Sequence, residues 1–294
     1  MRYRNLGRSS ISISEISFGC MSLHEANSEN AALLQQAVEL GINYFDTADL
    51  YDHGENEKLV GRALASVRRK VVIGTKVGNA WRQDGSGWDW NPTPNYIKLA
   101  VDRSLQRLQT DYIDLYQLHG GTIDDPIDDI IATFESLQAA GKIRLYGISS
   151  IRPNVIRAFV QRGGMSTTMM QYSLLDRRPE EACLDLLTEN QISVLARGVL
   201  AKGLLAGKTA DQCLTLTKHQ VGEFLSSLGN REELVSSAIG YVLAHRAVAS
   251  AVIGIRTRQQ LESALQSYDR SVLNLPDYER LQQLAPRLIY SDHR

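Results

Sequence analysis

An alternation constrains this chain more than any other feature. Short runs of β-forming residues recur along it, separated by longer stretches with helical spacing of apolar residues. Ile16–Phe18, Ile42–Asp46, Val71–Lys76, Tyr112–His119, Ile143–Ile148, Thr168–Gln171, Ile192–Ala196 and Ala251–Ile253 read as strands. Glu29–Leu40, Glu55–Val67, a segment opening at Thr93-Pro94, and Ile127–Ala140 read as helices, with one more near Asp277–Leu284. Thr93 suits an N-cap with proline at the first helical position, and Gly141 suits the close of the helix before it. Repeated β-α units imply parallel strands joined by right-handed crossovers. About eight such units predict an α/β fold, a closed (β/α)8 TIM barrel occupying residues 1–294 as a single domain. The competing open, doubly wound sheet normally carries G-x-G-x-x-G after an early strand. Here the first strand ends in Gly19-Cys20-Met21-Ser22. Tyr3–Ile13 reads as a short N-terminal hairpin around Gly7-Arg8-Ser9, suited to plugging the barrel bottom.

Composition narrows the function classes. The chain is 43% hydrophobic and 22% charged, which is ordinary for a soluble globular protein. Its formal net charge of −1 gives no sign of a surface for nucleic acid or an anionic membrane, and neither partner is expected. Cys20, Cys183 and Cys213 are scattered, without metal-ligand spacing, as fits a reducing cytoplasm. No signal peptide or bilayer-spanning run is apparent.

In a (β/α)8 barrel the active site forms at the C-terminal strand ends. Asp46 ends the second strand, Lys76 the third and His119 the fourth, with Tyr51 in the loop after Asp46. Singly, each has an ordinary reading: a turn acceptor, a solvated lysine, a core histidine, a pocket aromatic. Jointly they describe a site. A free phenol has a pKa of about 10, too high for efficient proton transfer near neutrality. A neighbouring ammonium lowers it, and a buried carboxylate holds that ammonium charged and in place. A histidine beside the phenol orients a carbonyl oxygen or shares the proton. Such a set suits carbonyl reduction or alcohol oxidation if a hydride carrier is present. A zinc site from Asp46 and His119 lacks a third ligand, so no metal is expected.

With these residues in hand, the sequence resembles the aldo-keto reductase family over nearly its whole length. Tyr3-Arg4-Asn5-Leu6-Gly7-Arg8-Ser9 resembles the family's opening. Gly41-Ile42-Asn43-Tyr44-Phe45-Asp46-Thr47-Ala48 with Tyr51, then Gly54-Glu55-Asn56-Glu57, is similar to its first signature. Asp111-Tyr112-Ile113-Asp114-Leu115-Tyr116-Gln117-Leu118-His119 is similar to its second, and Gly141-Lys142-Ile143-Arg144 and Gly147-Ile148-Ser149 continue the match. The resemblance implies a catalytic tetrad of Asp46, Tyr51, Lys76 and His119. Tyr51 is then general acid in reduction and base in oxidation, tuned by Lys76 and Asp46, while His119 orients the substrate carbonyl.

It also implies NADP(H) across the barrel mouth, NADPH preferred and NAD not excluded. Gly19, Cys20, Met21 and Asp46 are expected near it. Ser149-Ser150, where the family usually has Ser-Asn, and Gln171 are expected on the nicotinamide carboxamide. Arg197 stands where many members stack a tyrosine. Gly198, Leu200 and Lys202 belong to the segment expected under the pyrophosphate. Gly254, Arg256, Thr257 and Gln260 resemble the adenosine-phosphate segment, with Arg256 the natural partner of a 2′-phosphate. Farther along, Ser263 and Ala264 replace the family's usual Glu and Asn, and Asp52 stands where glycine commonly follows the tyrosine. Lys208–Arg231 is short, which is expected to leave the cofactor channel open. The loop Asn79–Asn91 carries all three tryptophans, and Trp81 and Trp88 are expected in a substrate pocket with Tyr51 and His119. The expected activity is reduction of an aldehyde, ketone or sugar, as monomer or homo-oligomer in the cytoplasm. The alternative is a redox-sensing or regulatory subunit of the same fold with little turnover.

Overall fold

Eight parallel strands close into a barrel in the computed structural model, which describes residues 1–24, 27, 29–229 and 233–294. Two antiparallel strands come first, β1 (Tyr3–Asn5) and β2 (Ser12–Ser14). The barrel strands are β3 (Ile16–Gly19), β4 (Tyr44–Asp46), β5 (Val72–Val77), β8 (Ile113–Leu118), β9 (Ile143–Ser149), β10 (Thr167–Gln171), β11 (Ser193–Arg197) and β12 (Val248–Gly254). They stand in chain order around the barrel, as right-handed β-α repetition requires. Between them lie α1 (Glu29–Glu39), α2 (Glu55–Leu64), α3 (Pro94–Leu108), α4 (Ile127–Ala139), α5 (Pro153–Arg162), α6 (Cys183–Glu189), α7 (Lys218–Ser227) and α8 (Leu234–Ala244). The last helices, α9 (Arg258–Asp269) and α10 (Leu275–Leu284), follow β12.

Local chemistry starts these helices. The Thr93 hydroxyl accepts from the Tyr96 amide with Pro94 at the first position of α3, and Asn274 caps α10 in the same way ahead of Pro276. Thr217 and Gln220 form a reciprocal capping box on α7. Successive strand residues alternate between the barrel interior and the helix layer. Tyr44, Val72, Leu115, Leu145, Met169 and Leu195 fill the interior with Leu6 and Ile13 of the N-terminal hairpin, both fully buried. Tyr44 and Val72 begin their strands, so the hairpin closes the N-terminal end of the barrel. The same alternation turns Asp46 and Lys76 inward at the opposite end.

Two expectations change in detail. Asn79–Asn91 is not an irregular loop: β6 (Asn79–Trp81) and β7 (Trp88–Trp90) form a hairpin with Trp81 opposite Trp88. The helix expected to run to Val67 gives way after Leu64 to a tighter turn over Ala65–Lys70. Residues 230 and 231, which end the short stretch from Lys208, lie outside the described residues. Among the described residues no helix is long and apolar enough to cross a membrane.

Candidate functional site

Strand ends bring the four ionisable residues together. The Lys76 ammonium is buried and donates to Asp46 Oδ2 at 2.6 Å and to the Thr47 carbonyl at 2.7 Å. Its third donor direction meets the Tyr51 hydroxyl at 3.5 Å, and the nitrogen lies 5.1 Å from the centre of the Tyr51 ring. His119 extends the ladder past β8, its amide donating to the Val77 carbonyl at 2.7 Å. Its ring meets the Tyr51 ring edge-on, with centroids 5.8 Å apart. The Tyr44 hydroxyl donates to Asp46 Oδ1 at 3.4 Å, so both carboxylate oxygens have partners.

Burial dominates the electrostatics. It works against the Lys76 ammonium, but Asp46 and Tyr51 more than offset it, and the pKa lies above the ordinary lysine value. Burial raises the Asp46 carboxyl, against the pull of Lys76. For Tyr51 burial again comes first and raises the phenol. Lys76 lowers it as the sequence predicts, yet the net direction is upward. Desolvation of the phenolate outweighs the cation here. A phenol in this state keeps its proton near neutrality and can donate it. Burial, then Lys76 and Arg197, push His119 down to about 3, so the imidazole is neutral.

Supports for the site come from residues the sequence left unassigned. Asn56 accepts from the Thr47 hydroxyl at 2.6 Å and donates to the Cys20 and Leu23 carbonyls, tying the ends of β3 and β4 to α2. Glu57, fully buried, accepts from the Thr75 hydroxyl at 2.5 Å and from Arg107 Nε at 2.6 Å, so it ties β5 to α2 and α3. Both belong to the Gly54-Glu55-Asn56-Glu57 motif. A polar pair at a helix start, facing the core, is the signal that could have found them. The backbone accounts for Asp52. Its φ of 49° and ψ of 43° are left-handed, where glycine is easiest and aspartate tolerated. Its carboxylate turns to His24 Nδ1 at 3.3 Å on the exposed surface.

The tryptophans divide. Trp81 donates from Nε1 to the Leu50 carbonyl at 3.1 Å, next to Tyr51, and His53 stacks on it with centroids 3.7 Å apart. Trp88 is half exposed. Trp90 lies over Gly78 and Gly120 and donates to Asp125, which anchors the hairpin. A cavity of about 820 Å³ lies elsewhere, under the C-terminal segment near Arg177, Glu180 and Tyr278, and none of the four site residues lines it.

The other half of the mouth carries groups that could hold a nicotinamide dinucleotide. Gly254, Gly19 and Asp46 stand side by side in register, two residues without side chains next to the ion pair. Gln171 and Arg197 end neighbouring strands, half-buried and 3.3 Å apart. Gly198 has φ +68°, and a Cβ there would come within 3.2 Å of Gln171 Cγ. Lys202 and Gly203 are also left-handed, and Leu200 starts this turn with its carbonyl accepting from Gly203 and Leu205. Ser149 and Ser150 are buried, the Ser150 amide donating to the Met169 carbonyl. Thr257 caps α9, whose first turn holds no acidic residue, and exposed Arg256 precedes it with its amide donating to Gln260. A helix start with unpaired N–H groups beside a guanidinium suits a phosphate. Two positions are placed differently from their neighbours: Met21 is exposed, while the Cys20 thiol packs into the hydrophobic core. Ala264 is also turned into the core. Among the described residues no cluster of His, Cys, Asp and Glu could hold a metal ion.

The site is thus a buried ion pair under a phenol at the C-terminal mouth of a closed (β/α)8 barrel. The model of the aldo/keto reductase family matches residues 15–286, and the chain belongs to that family. It is similar to the "uncharacterized oxidoreductase YqkF" of Bacillus subtilis (strain 168), 46% identical over 306 residues and covering all of both chains. It is similar to the NADH-specific methylglyoxal reductase of Escherichia coli (strain K12), 34% identical over 222 residues, 69% of this chain and 68% of that one. Among solved structures it is similar to the holo form of aldo-keto reductase AKR11C1 from Bacillus halodurans. The TM-score is 0.95 at 44% identity, covering 100% of this chain and 99% of the other.

Proposed function

We propose that this protein is an NADP(H)-dependent oxidoreductase that interconverts a carbonyl (aldehyde, ketone or sugar) and an alcohol, with Tyr51 as the general acid and base. One observation carries the reading: the Lys76 ammonium, held between Asp46 and the Thr47 carbonyl, stands 3.5 Å from the Tyr51 hydroxyl. When bound, the nicotinamide supplies hydride to the carbonyl carbon. Tyr51 gives its proton to the oxygen as negative charge develops there. Lys76 stabilises the phenolate left behind, and Asp46 keeps Lys76 charged and in place. Neutral His119 donates a hydrogen bond that orients the carbonyl. Trp81, fixed beside Tyr51, and Trp88 form part of the pocket wall.

Ser149, Ser150, Gln171 and Arg197 hold the nicotinamide end in this reading. Gly198, Leu200 and Lys202 lie under the pyrophosphate, and Gly254, Arg256, Thr257 and Gln260 hold the adenosine end. A relative of comparable length is NADH-specific by name, so NADP preference rests on Arg256 and not on family membership. The test is absorbance at the NADPH band with a panel of aldehydes, ketones and sugars. Turnover is expected; failure to bind either nicotinamide cofactor contradicts the reading, and tight binding with no turnover favours a regulatory role. Arg256→Ala is expected to weaken NADPH at least about tenfold more than NADH, by loss of a charge-assisted phosphate contact. Equal loss for both contradicts its assignment.

A further inference from the structure

Under the tetrad, one wall of the barrel interior carries polar atoms that have no hydrogen-bond partner among the described residues. Gln117 faces inward on β8 between Leu115 and His119 and is fully buried, and neither its amide nitrogen nor its amide oxygen has a protein partner. His119 Nδ1, directly above on the same face, is also buried without one. Around the barrel Gln117 stands in register with Gly147 on β9, and Gly147 with Thr167 on β10. The Thr167 hydroxyl is buried and unpaired in the same way. A Cβ at Gly147 would lie 2.3 Å from Thr167 Oγ1, so glycine is what lets Gln117 and Thr167 face one another across β9. Lys76, the register neighbour on the other side, has its ammonium engaged by Asp46, Thr47 and Tyr51.

Four buried, unpartnered polar atoms thus belong to inward-facing residues of β8, its extension and β10. A buried amide or hydroxyl left unsatisfied forfeits the hydrogen bonds it makes to water in the unfolded chain. A water is held stably where two to four polar groups converge, about three on average. We infer that the barrel holds an internal water cluster, bound by Gln117 and Thr167, that donates a hydrogen bond to His119 Nδ1. The consequence reaches the mouth. A neutral imidazole carries one N–H, and its position is set by what the other nitrogen accepts. Water donating to Nδ1 places the proton on Nε2, leaving that nitrogen as the donor to a substrate oxygen. Gln117 and Thr167 are positioning residues acting through water on His119, and this rests on the role for His119 proposed above.

The test reads the tautomer directly. In protein carrying 15N-labelled histidine, with the His119 signal assigned through His119→Gln, wild type is expected to show neutral Nε2–H. Gln117→Leu and Thr167→Val are each expected to move the signal toward Nδ1–H or a mixture. Turnover in reduction then falls roughly ten- to a hundredfold, as misoriented groups do, while the NADPH dissociation constant stays unchanged. A high-resolution crystal structure of the wild type is expected to show water within hydrogen-bond distance of Gln117, Thr167 and His119 Nδ1. A direct bond from Gln117 to His119 or Thr167 with no water between them overturns the inference. So does an Nδ1–H form in wild type, or a tautomer unchanged in both variants. If Gln117→Leu does not fold, Thr167→Val and the wild-type measurements decide. The tautomer and water readouts need no substrate, so a wild type without turnover counts against the proposed function and leaves them to judge this inference.

Discussion

A buried carboxylate and a buried ammonium 2.6 Å apart are weak evidence for stability, because desolvation consumes much of their attraction. Their value here lies in what they hold beside Tyr51. The phenol sits above its ordinary value because burial outweighs Lys76, which has a directional consequence. On the role proposed for Tyr51, reduction needs the protonated phenol, so its rate is expected to hold as pH rises and to decline only above the ordinary phenol value of 10.0. Oxidation needs the phenolate and is expected to climb with pH over the same range. Steady-state pH profiles in both directions check this. A reductive limb falling between pH 7 and 8 contradicts it. The four residues were legible in sequence because polar types at successive strand ends have no packing rationale. The net direction at Tyr51 was not, since desolvation depends on how much of the ring the fold covers.

Helices and strands are locked together next to the site by Glu57. It joins α2 to Thr75 on β5, beside Lys76, and to Arg107 on α3. Arg107→Met strands a fully buried carboxylate, and a loss of roughly 3 kcal/mol or more is expected, as when one partner of a buried pair is removed. The double variant Glu57→Met/Arg107→Met is expected to lose less than Arg107→Met alone, because no charge is left unpaired. Denaturant midpoints at constant slope measure both, and a double variant at least as unstable as the single one contradicts the argument. At this scale strand positions read well from β-forming runs, and the start of α3 from Thr93-Pro94; the caps at Thr257 and Asn274 emerge only in the structure. The Asn79–Asn91 hairpin was not legible either, because its glycines and polar residues look like a loop until Trp90 packs over Gly78 and Gly120.

Across the whole molecule the barrel has two unlike ends. One is closed by Leu6 and Ile13 of the N-terminal hairpin, which share one buried cluster with interior residues from most strands. Leu6→Ala is expected to cost about 2–5 kcal/mol, the range for a buried leucine whose surroundings cannot collapse. A change under about 1 kcal/mol contradicts a plugging role, since exposed surface positions fall in that range. The closed eightfold order followed from counting β-α units, because few other architectures bury so many parallel strands. The water-binding wall of Gln117, Gly147 and Thr167 did not, since it exists only once three strands set their register.

The central claim is that Tyr51 delivers the proton under control of Lys76 and Asp46. Single-turnover loss of NADPH absorbance with an accepted aldehyde tests it most directly, in wild type and in Tyr51→Phe. Tyr51→Phe keeps the ring and removes the acid. Turnover is expected to fall about 10²- to 10⁴-fold, the contribution of a positioned general acid, with NADPH affinity unchanged. A Tyr51→Phe variant that reduces the aldehyde within a factor of about two of wild type contradicts the account, that factor being far below any general-acid contribution.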